Sequence, residues 1–310
     1  MTPFLLRPRV LRPGDLIGIA APASPVNETL LAKGEEAIAG LGFRTRRTSH
    51  LLARGRYTAG SAGERAQDLS GLLADPEVRA VIFARGGYGA PHLLALLDPE
   101  LLRKDPKPLL GGSDLTALLL WALKAGVACA HGPMAAREFQ ESRVDLAEVA
   151  HHLTRAEPFG RLDAPAARTL HPGRARGVLT GGCLSLVVAS LATPWEIDTE
   201  GALLFLEDVD TKPFQIDRML TQLRLAGKLA GVRGIAFGEM KGCVQHPDQG
   251  YTLDEVLAEL TQGLGVPVVS GLPCGHTSGV NRLLPFGVAA TLDAASDRVE
   301  LVLEESLCVL

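Results

Sequence analysis

The first half of the chain repeats one pattern: a short apolar run, a cluster of Gly, Pro or Ser, then a segment with apolar residues at helical spacing. "DLIGIAAPASP" (15–25) reads as strand then loop, and "ETLLAKGEEAIAGLG" reads as a helix with Leu30, Leu31, Gly34, Ala37, Ile38 and Leu41 on one face, stopped by Gly42. "VRAVIFARGGYGAPHLLALL" follows the same plan, with a buried strand over 78–84, the turn "RGGYG" and a helix after Pro91. "KPLLGGSDLTALLLWALKAG" is the next unit, and "GVACAHGPM" is a further short strand ending in a loop. Strands apolar on both faces and alternating with helices bury themselves only as a helix-covered parallel sheet, which predicts an α/β fold. In such a sheet ligands collect at the carboxyl ends of the strands, so the loops after residues 21, 84 and 110 are predicted to share one edge.

From about residue 137 to 176 the periodic signal weakens, with scattered charges and Pro158, Pro165 and Pro172. Beyond it, "ARGVLTGGCLSLVVASLAT", "GALLFLEDVDTKPFQIDRMLTQLRLAG", "VRGIAFGEM", "VPVVSGLPCGHTSG", "GVAATLD" and "RVELVLEES" give more strands than helices. The expected organisation is an N-terminal parallel-sheet α/β domain over 1–140, a linker or crossing segment over 141–176, and a β-rich C-terminal α/β domain over 177–310.

With 310 residues, 46% of them hydrophobic and 21% charged, the chain is in the globular range and long enough for two cores. A net charge of −4 without like-charge blocks leaves no footprint for nucleic acid and favours a small-molecule partner. Pro and Arg interrupt "MTPFLLRPRVLRPGDL" before a signal-peptide core can form, and the most apolar helix-like stretch, 115–130, is broken by Lys124 and too short to span a bilayer. The five cysteines are scattered, with no C-x-x-C pair, as reduced thiols are. These features predict a cytoplasmic protein that does not engage the membrane.

Three residues stand where chemistry is done. Ser113, in "LLGGSDLTALLLW", sits on a strand-to-helix turn, where a serine is either a helix cap or an exposed nucleophile with the Asp114 N–H beside it; Leu115 departs from the full G-x-S-x-G elbow. Glu207 follows the apolar run "GALLFL", at a strand end, although "EDVD" also reads as a solvated acidic turn. His276, in "PCGHTSG", lies in a glycine-flanked loop. His131 in "HGPM" ranks next, and His50, His151 and His152 rank lower. A metal site built on Cys243, His246, Cys274 and His276 is the rival arrangement, although no zinc signature is matched, and the glycine turns could also cradle phosphate.

Taken in order, these segments resemble the LD-carboxypeptidase family of serine peptidases. "RPGDLIGIAAPASP", "YTAGSAGERAQDL", "ARGGYGA", "GGSDLTALLLWA", "HGPM", "LTGGCLSL", "LFLEDVD…QIDRML" and "PCGHTSGVNRLLPFGVAATLD" recur in the family's order over some 270 residues. The family often has a bulkier residue where Gly112 stands, and "GGN" where Cys183 stands.

The resemblance implies a catalytic triad of Ser113, Glu207 and His276, assembled in an interdomain cleft, with Asp114 and Gly87 donating to the oxyanion and no metal or cofactor. It implies hydrolysis of the bond between an L-configured centre and terminal D-alanine in murein tetrapeptides, in peptidoglycan recycling, by a homodimer. A free carboxylate calls for an arginine, and Arg85 (beside Gly86) and Arg282 adjoin the site segments. Within the same fold, the microcin self-immunity peptidases offer an alternative substrate, an aminoacyl or peptidyl nucleotide. That reading needs a stacking aromatic, and the only tryptophans are Trp121 and Trp195. A metallohydrolase and a non-catalytic binding module are the readings from other classes.

Overall fold

The computed structural model describes residues 5–244, 248 and 250–310. The chain divides into two compact units: Met1–Pro158 with Val280–Gly287 and Ser306–Leu310, and Phe159–Gly279 with Val288–Glu305. Strands and α-helices are numbered in chain order.

The first unit carries β1 (Leu16–Ala20), β2 (Arg44–Arg47), β3 (Val78–Phe83), β4 (Leu109–Gly111), β5 (Cys129–His131) and β12 (Leu284–Phe286), in the sheet order β12-β5-β4-β3-β1-β2. The five early strands run parallel, and β12 alone is antiparallel, pairing Leu284 with His131 and Phe286 with Cys129. Every residue of β1 is buried, as a strand covered on both faces requires. The carboxyl ends of β1, β3 and β4 lie at one edge, where Ala84 N–H donates to the Ala20 carbonyl at 2.8 Å.

Helix α1 (Glu28–Gly40) begins where the Asn27 side chain accepts from the Leu30 N–H, and it buries Leu31, Gly34 and Ile38, the face expected from the spacing. α2 (Ala62–Ala74) opens with a Ser61–Glu64 capping box. After the glycine turn the chain makes a 3-10 stretch, Ala90–Leu96, rather than the expected α-helix. Asp98 then caps a separate short helix, α3 (Pro99–Lys104), whose leading proline cannot continue a preceding hydrogen-bond ladder. α4 (Thr116–Lys124) is buried through Ala122; it is shorter than the apolar stretch because Gly126, at φ 80°, turns the chain toward β5. Within 141–176 lie α5 (Leu146–Thr154), capped by Asp145, and two strands, β6 (Gly160–Leu162) and β7 (Arg168–His171).

The second unit is built on an eight-stranded sheet ordered β6-β14-β13-β8-β9-β10-β11-β7. Its centre, β8 (Gly173–Cys183), β9 (Ala202–Glu207), β10 (Gly234–Gly238) and β11 (Val268–Leu272), is parallel. β7 on one side, and β13 (Ala289–Ala294), β14 (Val299–Leu303) and β6 on the other, are antiparallel. Only α6 (Leu184–Ala189), α7 (Pro213–Leu225) and α8 (Leu253–Thr261) accompany it among the described residues, the β-rich balance that the sequence predicts.

Candidate active site

In the first unit, β4 ends at Gly111 and the chain turns through Gly112 and Ser113 into α4, with Leu115 N–H bonded to the Gly112 carbonyl at 3.1 Å. Ser113 holds φ at 59°, in the left-handed region. A residue with a Cβ pays about 1–2 kcal/mol to stand there, and such strain concentrates at functional turns. The hydroxyl caps neither the 3-10 turn nor the helix, so the capping reading of Ser113 fails on geometry. The side chain is half-buried between two buried neighbours, Gly112 and Asp114.

The glycine turn presses on this serine. A Cβ on Gly86 would lie 2.7 Å from Ser113 Cβ, 2.9 Å from its Oγ and 3.3 Å from the Asp114 backbone N, so no larger residue fits unless the serine moves. The Asp114 carboxylate is buried and accepts from Ala90 N–H at 2.7 Å, pinning the end of the turn to the start of the helix. Burial pushes its pKa up, against the bonds to Ala90 and Gly89 and the charge of Arg65. Arg65 in turn donates to the Gly89 carbonyl at 2.8 Å and to that of Pro22. Gly87 lies exposed at φ 114°, and Ser24 Oγ joins the turn to a second loop, accepting from Tyr88 N–H at 3.1 Å and donating to the Tyr57 carbonyl at 2.9 Å.

The two arginines differ in their surroundings. Arg85 Nη1 donates to the Pro25 carbonyl at 3.3 Å. Arg282, which belongs to this unit and not to the second, places Nε 2.7 Å from Glu148 Oε2 and Nη1 3.4 Å from Asp145 Oδ2. Its fork is thereby occupied by carboxylates of the protein. His131 is buried at the end of β5, its ring 5.7 Å from that of Phe286.

In the second unit, Glu207 closes β9 and is fully buried. Its Oε2 accepts twice from one residue: from His276 backbone N–H at 2.9 Å and from His276 Nδ1 at 2.7 Å. A carboxylate only accepts, so Nδ1 carries a proton, and whenever the ring is neutral its lone pair lies on Nε2, the tautomer a general base needs. Gly275, at φ 89°, permits this approach: a Cβ there would stand 2.4 Å from Glu207 Cγ.

The other acids of "EDVD" do different work. Asp208 is buried and accepts from Ser185 N–H, Val209 N–H and Thr211 Oγ1, so Glu207 and Asp208 do not belong to a solvated turn, whereas Asp210 is exposed. Residues missed in the sequence tie down the histidine loop. Glu239, just past β10, accepts from Ser278 N–H at 3.0 and 2.9 Å, and Thr277 Oγ1 donates to the Gly279 carbonyl at 3.0 Å. Glu239 was legible by the strand-end rule that singled out Glu207.

Of the rival metal ligands, Cys243 and Cys274 are buried, burial pushes the Cys243 thiol up to about 11, and His276 Nδ1 is taken by Glu207. His246 lies outside the described residues. Among the described residues, no group of three or more His, Cys, Asp or Glu side chains is arranged to hold a metal ion. His50 pairs with Asp68 at 2.9 Å, and none of the described helices is long and apolar enough to cross a membrane.

A strained serine behind a parallel strand and a carboxylate-bound imidazole are the components of serine hydrolases. The LD-carboxypeptidase N-terminal domain model matches residues 17–132, and the LD-carboxypeptidase C-terminal domain model matches residues 176–292. The chain belongs to the LD-carboxypeptidase family. It is 41% identical over 301 residues to a Streptomyces coelicolor protein provisionally named a carboxypeptidase, covering 94% of each chain. A Bacillus subtilis protein provisionally named a murein peptide carboxypeptidase is 36% identical, with 93% of this chain and 92% of that one covered. The solved muramoyltetrapeptide carboxypeptidase of Oxalobacter formigenes superposes with a TM-score of 0.83 at 28% identity, over 94% of this chain and 99% of that one.

Proposed function

We propose that the protein is a serine-type LD-carboxypeptidase that releases terminal D-alanine from murein tetrapeptides in peptidoglycan recycling, with Ser113 as nucleophile, His276 as base and Glu207 as its orienting carboxylate. The observation that carries the proposal is the pair of hydrogen bonds from His276, backbone N–H and Nδ1, to one oxygen of Glu207, which orients the ring and selects its tautomer. Family membership and the relatives' names supply the substrate class.

His276 Nε2 takes the Ser113 proton as Oγ attacks the scissile carbonyl. The imidazolium formed is stabilised by Glu207 and then protonates the departing D-alanine amine; water, activated by the same ring, hydrolyses the acyl-enzyme. The N–H groups of Asp114 and Gly87 would donate to the oxyanion, with the dipole of the following helix behind Asp114, each donor contributing on the order of 3 kcal/mol. The mechanism requires the serine of one unit and the pair of the other to act in one site.

A second substrate reading, an aminoacyl nucleotide, draws on one feature. Tyr57 and Tyr88 stand more than half exposed beside the glycine turn, edge to face at 5.2 Å, where a base could stack. One assay decides between them: D-alanine released from murein tetrapeptide, and cleavage of an aminoacyl-sulfamoyl adenosine, each measured with wild type and Ser113→Ala, with and without chelator. D-alanine release that is chelator-insensitive and abolished in Ser113→Ala is expected. Wild-type turnover by Ser113→Ala overturns the nucleophile, and cleavage of the nucleotide alone overturns the substrate.

A further inference from the structure

We propose that Arg85 and Arg137 together form a carboxylate-binding subsite that receives the free C-terminal carboxylate of the peptide; this rests on the reading of Ser113 as nucleophile.

The backbone brings the two side chains together. Ala136 N–H donates to the Ala84 carbonyl at 2.8 Å, tying the end of β3 to the π-helical turn Ala135–Phe139 that follows "HGPM". Arg85 and Arg137 are each the next residue along the chain from that bond. Both Nε atoms are buried, and neither has a hydrogen-bond partner among the described residues. Among the described residues no carboxylate pairs with either guanidinium, and Arg85 reaches only the Pro25 carbonyl through Nη1.

The other buried or half-buried arginines are provided for differently. Arg282 is held by Glu148 and Asp145, Arg47 by Glu35 at 2.6 Å, and Arg65 by two carbonyls. Burial, then the charge of Arg137, lower the Arg85 pKa, in keeping with the backbone bond that brings the two residues together.

Two neighbouring guanidiniums, each with a buried Nε–H left to be satisfied, suit a planar, bidentate anion better than a carbonyl or an ammonium. The site is also near the chemistry. Gly86, directly after Arg85, lies against Ser113, so an anion on this pair would sit beside the turn that carries the nucleophile. A peptidase furnished in this way reads the chain end, and the inference adds Arg137, which the sequence did not single out.

The test compares murein tetrapeptide with its C-terminal amide. Wild type is expected to prefer the acid, and Arg137→Gln to lower kcat/KM for the acid by about 30-fold, chiefly through KM, while leaving the amide within about 3-fold. Arg137→Lys is expected to recover part of the loss. Equal losses on acid and amide, or no loss on the acid, overturn the subsite. Titration calorimetry of both peptides on Ser113→Ala and on Ser113→Ala/Arg137→Gln supplies a readout independent of turnover. The acid is expected to bind Ser113→Ala more tightly than the amide, and the advantage to vanish in the double variant. Acid binding no tighter than amide overturns the subsite, whereas wild-type turnover by Ser113→Ala overturns only the nucleophile.

Discussion

Replacing Glu207 by Gln isolates the electrostatic part of the proposed triad, and the reason lies in the backbone. In a Ser-His-Asp triad, turning the orienting carboxylate into an amide lets the amide NH2 face the imidazole and forces the wrong tautomer, at a cost near 10⁴ in kcat. Here the same oxygen that accepts from Nδ1 also accepts from His276 N–H at 2.9 Å. An NH2 in that position would leave the backbone donor facing another donor, so the glutamine oxygen must point to the histidine and the tautomer survives. What disappears is the charge opposite the imidazolium. With charge centres roughly 4 Å apart and an effective dielectric near 20, that charge contributes about 4 kcal/mol, or a factor of about 10³ in kcat. Glu207→Gln is therefore expected to keep KM and the thermal midpoint near wild type while D-alanine release slows about 10³-fold. Glu207→Ala, which also orphans a buried N–H, is expected to lose about 1–3 kcal/mol of stability besides. A Glu207→Gln enzyme within tenfold of wild-type kcat would refute the reasoning.

Two other measurements probe the fold around the site. Ser113→Gly, which relieves the left-handed strain at φ 59°, is expected to be inactive yet about 1 kcal/mol more stable than Ser113→Ala in chemical denaturation; equal midpoints would show that the turn stores no strain. His152, on the buried side of α5 near Glu148, His151 and Arg282, has its pKa pushed down to about 3, chiefly by burial. A base whose folded pKa is depressed gives stability that is fully present above its unfolded value of 6.5 and is lost as pH falls toward 3. Relative to His152→Leu, wild type should then lose about 2 kcal/mol between pH 6.5 and 5, measured by denaturation at both pH values. Burial pushes Glu148 the other way, up to about 7; parallel pH profiles for wild type and His152→Leu would disprove the burial of a neutral imidazole.

The parallel strands and the residues at their ends were legible because each is a local pattern: an apolar run, then a break, then a polar residue. Glu207 after "GALLFL" is of this kind. Its bond to His276 was not legible from spacing, since 69 residues separate the two and only the fold brings Gly275 against the carboxylate. α5 was hidden in the segment read as a crossing because two of its buried positions are Glu148 and His152, which erase the apolar period that marks a helix. Arg137 escaped because nothing local distinguishes it from a solvated arginine; that its buried Nε finds no hydrogen-bond partner among the described residues is a property of the packed structure.

The edge strand β12 has a consequence for synthesis. β5 acquires that neighbour only when residues 284–286 have been made, 155 residues after His131 when counted to Phe286. At ribosomal speeds of about 5–20 residues per second, the nascent sheet waits roughly 8–30 s with the backbone groups of "CAH" unpaired on that side. An exposed edge of this kind is a template for pairing with another chain. Fragments ending near Pro158, which lack β12, are therefore expected to aggregate more readily than the full chain, measured by light scattering at equal concentration.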